Sequence, residues 1–264
     1  MTEETVPIRN PEACRPSANQ PVLFILFFAG CLVIGCTRKN PEKTVEPESN
    51  PFRWEFNDLN GWTDDSQNTG GPHNYAITDG KLRIHTRAGT WDRAKVRTVQ
   101  QVFRAGLTRW RVYVPAMGEG DQASIGAFLY HSDSRELDFE IGYGKSADRA
   151  GMKAAPDELI VFTTSQADPY KSTKHLIKRE QWHELSIALT LPDSGAGGRY
   201  EVAWGVDGES IEEARLDFGD ETAFYLYCSV ENLQFLGDHI PALENYALFD
   251  FVEHVAQDTP GNPP

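Results

Sequence analysis

Cysteine is scarce in this chain of 264 residues and poorly placed for cross-linking: Cys14, Cys31 and Cys36 fall at the front, and Cys228 stands alone in everything after them. No disulfide can therefore staple the later part, which must rely on an apolar core. Cys228, within Phe224-Tyr-Leu-Tyr-Cys-Ser-Val230, reads as a small buried residue rather than a reactive thiol. Positive charge is also short. With 25 Lys and Arg against 39 Asp and Glu, the net charge is −14 and the pI about 4.9, which excludes a general attraction to nucleic acid phosphates or anionic lipid heads. No internal repeat is present, which excludes a propeller or solenoid. There is no Gly-x-Ser-x-Gly elbow, and the seven histidines do not cluster as metal ligands. His183-Glu184 lacks the second histidine of a zinc-protease helix. Gly142-Tyr-Gly-Lys-Ser146 lacks the earlier glycine of a phosphate loop, Phe139 standing in its place, and no helical pattern follows it.

Long hydrophobic runs are missing too, with one partial exception. Val22 to Gly35 is apolar for 14 residues, too short to span a bilayer comfortably and suited to the hydrophobic region of a signal peptide. Val33-Ile34-Gly35-Cys36 resembles the bacterial lipobox, which implies a signal peptide over 1–36 and Cys36 as a lipid-bearing N-terminus. Residues 37–51 (TRKNPEKTVEPESNP) hold one aliphatic side chain and read as a disordered tether, and 257–264 as a flexible tail. The expectation is an exported protein of the cell envelope, anchored to a membrane through Cys36 and otherwise monomeric.

What fills residues 52–256 is a succession of short β-type runs divided by Gly, Pro, Asp and Ser, among them Lys95-Phe103, Thr108-Val114, Ala123-Tyr130 and Glu136-Tyr143. Only Ile211-Leu216 has the spacing of a short helix. Asp79-Gly80 and Asp207-Gly208 carry the dipeptide of tight hairpins. The pattern predicts an all-β sandwich or jelly roll of two antiparallel sheets.

Within Glu136-Leu-Asp-Phe-Glu140, strand alternation places Glu136, Asp138 and Glu140 on one face and Leu137, Phe139 and Ile141 on the core face. The preceding run offers Phe128 and Tyr130 on a common face, and Gly142 continues the acidic face without a side chain. A groove with acids, aromatics and a glycine admits a sugar ring. Glycosidic cleavage needs two carboxyl groups, one to protonate the leaving oxygen and one to attack the anomeric carbon or activate water. Crowding three acids raises at least one pKa, so that a proton is retained for donation. Spacing alone leaves the stereochemistry open, and it fits a solvated acidic face as well. Calcium at the trio is excluded, since one strand cannot surround an ion that takes 6–8 oxygens.

The Glu-x-Asp-x-Glu motif resembles that of glycoside hydrolase family sixteen, endo-acting β-glucanases and galactanases with a concanavalin-like jelly roll. Phe52-Arg-Trp-Glu-Phe56 with Gly61-Trp62, Asp79-Gly-Lys-Leu-Arg-Ile84, and the strand Phe103 to Pro115 are similar to segments that precede the motif in that family. Gln181-Trp-His183, Val202-Ala-Trp-Gly-Val-Asp-Gly208 and Tyr246-Ala-Leu-Phe-Asp-Phe-Val252 are similar to segments that follow it. The resemblance implies a retaining endo-hydrolase of a β-linked polysaccharide, with Glu136 as nucleophile, Glu140 as general acid and base, and Asp138 orienting them. It implies no required cofactor, and it puts Asp250 where the family often has a structural calcium ligand. The family commonly carries a Trp shortly before the motif. Here Phe128, Tyr130 and His131 stand in that region, and with Tyr143 they are the candidate substrate contacts. The alternatives are a non-catalytic carbohydrate-binding sandwich and a polysaccharide lyase, the latter disfavoured by the acids because it would need a basic groove.

Overall fold

A computed structural model describes residues 52–67, 70–167, 170–192 and 198–257. The expected signal segment, Cys36, the tether and most of the tail lie outside the described residues.

Among the described residues two antiparallel sheets hold fifteen strands, with one short helix, α1 (Ser146–Met152). In the first sheet the order is β13 (Glu209–Gly219), β12 (Arg199–Val206), β11 (Gln181–Thr190), β6 (Gly106–Val114), β15 (Asn245–Ala256), β4 (Lys81–Thr86) and β3 (Tyr75–Thr78), while β1 (Phe52–Trp54) pairs with the far end of β15. In the second it is β10 (Lys171–Lys178), β9 (Glu158–Ser165), β8 (Arg135–Gly142), β7 (Ala123–Ser132), β14 (Tyr225–Asn232), β5 (Arg93–Thr98) and β2 (Trp62–Asp64). The expected two-sheet β-sandwich is the observed one.

The core lies between the inner faces of the sheets. Trp110, Val112, Leu185, Ile187 and Phe249 from the first sheet meet Ile125, Leu129, Leu137, Phe139, Leu226 and Val230 from the second, all essentially without solvent exposure. Each alternates with an outward-facing partner, the signature of aligned sheet packing. Trp110 also ties the layers directly, its indole Nε1 donating to the Tyr227 carbonyl at 3.1 Å. Both hairpin dipeptides behave as expected. Asp79 and Gly80 have φ of 51° and 69°, and Asp207 and Gly208 have 53° and 86°, the left-handed pair that a two-residue turn between right-twisted strands requires.

Three local expectations are corrected. Ile211-Leu216 is no helix: it lies in β13, the edge of the first sheet, where a charged strand with few buried positions blunts edge pairing and dilutes the period-two signal. β10, the edge of the second sheet, was not expected. Its sequence KSTKHLIK has a single buried residue, Ile177, and so shows no apolar alternation. The stretch after Gly144 does turn helical, for seven residues, closed by Lys153 in the left-handed region at φ 56°.

Candidate active site

β8 runs through the middle of the second sheet, between β7 and β9. Its odd-numbered residues Leu137, Phe139 and Ile141 are fully buried in the core, so Glu136, Asp138 and Glu140 must face the other way, into a groove of about 710 Å³. The register sets their neighbours. Glu136 lies opposite Tyr130, Asp138 opposite Phe128 and Thr164, and Glu140 opposite Gly126 and Phe162. By strand rise the Cα atoms of Glu136 and Glu140 are about 13 Å apart, with Asp138 between them.

The three carboxyls differ in environment. Asp138 is 5% exposed, and its Oδ1 is buried and receives no hydrogen bond. A buried carboxylate in that state is costly, so the proton stays on. Burial first, then the charges of Glu136 and Glu140, push the Asp138 pKa well above the usual carboxylate range. Protonated, Asp138 donates to Glu136. Burial raises Glu136 as well, and the bond from Asp138 offsets that rise only in part. Glu140 is pushed up to about 8, by burial first and then by Glu231 and Glu136, with Arg93 opposing. All three carboxyls are raised by burial, and Glu136 has a hydrogen bond that offsets part of the rise where Glu140 has none, a difference of the kind that separates nucleophile from acid.

Aromatic side chains form one wall. The Phe128 ring stacks on Tyr227 at 4.5 Å and 10°, and Tyr130 meets Tyr227 edge-on at 5.8 Å. The phenols are pinned, Tyr130 donating to Asp133 and Tyr227 to Asp65, each at 2.8 Å. Arg93, Lys95 and Glu231 line the groove on β5 and β14. On β9 and β10 the lining includes Phe162, Ser172 and Lys174.

Phe128 and Tyr130 are therefore in the groove; His131 and Tyr143 are not. His131 faces the opposite side of β7 from Tyr130, where its Nδ1 lies 2.8 Å from the Ala223 carbonyl and its ring packs edge-on against Phe224. Tyr143 shares the parity of Phe139 and Ile141, packs against the core, and is covered by the Arg149 guanidinium at 3.9 Å. Alternation forbids both from sharing the acids' face. Asp250 does not fit the calcium ligand the resemblance implies. It is the extra residue of a bulge in β15, turned toward Lys81 and Arg111, each 3.5 Å away, and two cations beside it oppose a third. Among the described residues no group of three or more His, Cys, Asp or Glu side chains is arranged to hold a metal ion. Tyr227, Glu231, Arg93 and Lys95 went unnoticed in the sequence. Their signal was present, as polar alternation in Tyr225 to Glu231 and Arg93 to Arg97.

No protein-family model matches the chain, and no curated protein matches its sequence. Solved structures do. The β-glucanase of Bacillus licheniformis is similar with a TM-score of 0.51 and 14% identity over 78% of this chain and 98% of that one. The fold is the concanavalin-like jelly roll. LamAcat from Zobellia galactanivorans shares the jelly roll with a TM-score of 0.54 and 15% identity, over 77% of this chain and 96% of that one. A structure from work on endo-acting O-glycanases of the human gut microbiota shares it with a TM-score of 0.59 and 13% identity, over 78% and 99%. At these identities the likeness establishes the jelly roll, and the chemistry rests on the groove.

Proposed function

We propose that the chain is a retaining endo-acting glycoside hydrolase that cleaves a β-linked polysaccharide of the β-glucan or galactan type. The observation that carries the reading is three carboxyls alternating on one strand, all facing one groove that aromatic side chains line. The resemblance of the motif to family sixteen supports it, as does the shared jelly roll with proteins named as a β-glucanase and as endo-acting O-glycanases.

In the mechanism, Glu136 attacks the anomeric carbon as the glycosidic bond breaks, and Glu140 gives its proton to the departing oxygen. Glu140, now a carboxylate, takes a proton from water. The resulting hydroxide equivalent attacks the same carbon and releases Glu136, so that two displacements return the original configuration. Asp138 steadies the Glu136 anion through its hydrogen bond before attack. Phe128, Tyr130 and Tyr227 supply apolar faces for sugar rings. Export, monomeric state and membrane attachment through Cys36 remain part of the same proposal, supported by the apolar run and the lipobox-like residues.

The test is release of reducing ends from a panel of β-glucans and galactans. Glu136→Gln and Glu140→Gln are each expected to lower the rate by at least ~100-fold with the circular dichroism spectrum unchanged. Full activity in either variant sinks the assignment. Retention of a polysaccharide by the wild type with no product indicates a binding protein instead.

A further inference from the structure

Glu231 is buried, charged and lines the groove, yet none of the steps above uses it. It is 4% exposed, and its Oε2 accepts from Lys95 Nζ at 3.2 Å and from the Arg93 guanidinium; Lys95 is itself only 6% exposed. Burying such a cluster carries a desolvation cost that apolar residues would avoid, which asks for a reason. The register suggests one. Glu231 lies on β14 opposite Ser124 of β7, and Glu140 lies on β8 opposite Gly126 of β7, so one strand separates the two carboxyls. The intervening groove-facing residues are the small Ser124 and the side-chain-free Gly126, where a Cβ would fall 2.3 Å from Ser229 Oγ. The Phe128 ring edge lies beside Gly126, 3.3 Å from where a Cβ would fall, and Glu231 and Glu140 sit on either side of a strand whose groove face is low at these two positions.

The charged and titratable groups that line the groove with Glu140 come from every element around it. Glu136 and Asp138 share its strand, β7 offers Tyr130 and the turn after it Asp133, the loops beside β2 and β10 offer Asp65 and Tyr170, and β9 offers only the uncharged Phe162 and Thr164. Lys174 comes from β10, Tyr227 and Glu231 from β14, and Arg93 and Lys95 from β5. The buried, unpartnered Oδ1 of Asp138 in the same groove marks it as a place where protons are held.

We propose that Glu231, clamped by Arg93 and Lys95, is a positioning residue for Glu140: its carboxylate offsets the two cations that would otherwise draw the proton from Glu140, so that Glu140 keeps the acid form required to protonate the leaving oxygen. The inference rests on the hydrolase reading above. Glu231 is the foremost charge acting on Glu140, ahead of Glu136 on the same strand, and Arg93 acts in the opposite sense.

Two measurements separate this inference from the reading beneath it. The Glu140 carboxyl midpoint is read by carbon-13 NMR titration, assigned by its loss in Glu140→Gln, and the alkaline limb of kcat/KM is read on the polysaccharide that the panel identifies. Glu231→Gln is expected to move both to lower pH by roughly one unit, and Arg93→Gln to move both to higher pH. A merely structural role for Glu231 lowers the rate and leaves the midpoint in place. Should Glu231→Gln fail to fold, Arg93→Gln carries the test, since that side chain is 40% exposed. A Glu140 midpoint unmoved in the variants that fold overturns the inference whatever the activity. Midpoints that move as expected in a protein that cleaves nothing leave the coupling standing and overturn the hydrolase reading instead.

Discussion

A carboxyl that holds its proton more tightly in the folded protein than in the unfolded chain weakens the fold as it ionises, and this applies to Glu140. Its pKa is about 8 in the groove and near 4.3 in an unfolded chain. Its contribution is therefore fully present below about pH 4 and is lost as the pH rises through about 8. Glu140→Gln removes the ionisation altogether. The variant should melt higher than wild type at pH 9, by on the order of 1–3 kcal/mol once screening by groove water is allowed for, with the gap closing toward pH 5. Thermal melts at the two pH values read the difference, and an equal Tm offset at both would show that Glu140 does not hold its proton more tightly in the fold. At this scale the sequence was legible where alternation decides: Glu136, Asp138 and Glu140 share a face because their core-facing neighbours cannot do otherwise. His131 and Tyr143 have side chains suited to sugar contact and lie close to the motif, but the same alternation sends both out of the groove. Asp250 was chosen by resemblance, and the bulge that turns it toward Lys81 and Arg111 leaves no sequence mark of its own.

The element that joins core to chemistry is β8, since the residues that anchor it alternate with those that line the groove. Phe139 is fully buried, and its neighbours across the register are Ala127 and Thr163. Phe139→Ala leaves a void that two flanking strands cannot collapse to fill, at a cost of about 3–5 kcal/mol. In a domain of this size that lowers Tm by roughly 6–20 °C. Because β8 carries all three carboxyls, activity should fall along with stability; a loss under about 1 kcal/mol in a urea melt would mean the strand is not anchored as described. Strands of this kind are legible because one face is apolar throughout. β13 and β10 are edges, with few buried positions and many charges, and an edge strand that avoids pairing with other chains also hides from a search for apolar alternation.

Across the whole molecule, the groove exists because strands distant in sequence become neighbours: β14, at 225–232, pairs with β7, at 123–132, and with β5, at 93–98. Local pattern can assign each run as a strand, but not its partner, so the wall that Tyr227 forms and the cluster around Glu231 became visible only in the fold. Cys228 sits at the centre of that arrangement. It is wholly buried, it pairs with Ala127 on one side and Val96 on the other, and burial pushes its thiol pKa well up, so the reactive thiolate is suppressed as well as inaccessible. Exposing it requires β14 to leave both neighbours, which dismantles the second sheet and with it the inner layer of the core. Alkylation of Cys228, followed by mass spectrometry of its peptide so that other cysteines do not interfere, should therefore be negligible in buffer and rise with denaturant along the same curve as global unfolding. Labelling that runs ahead of that curve would show β14 opening by itself, in which case the groove wall and the sandwich would not form one cooperative unit.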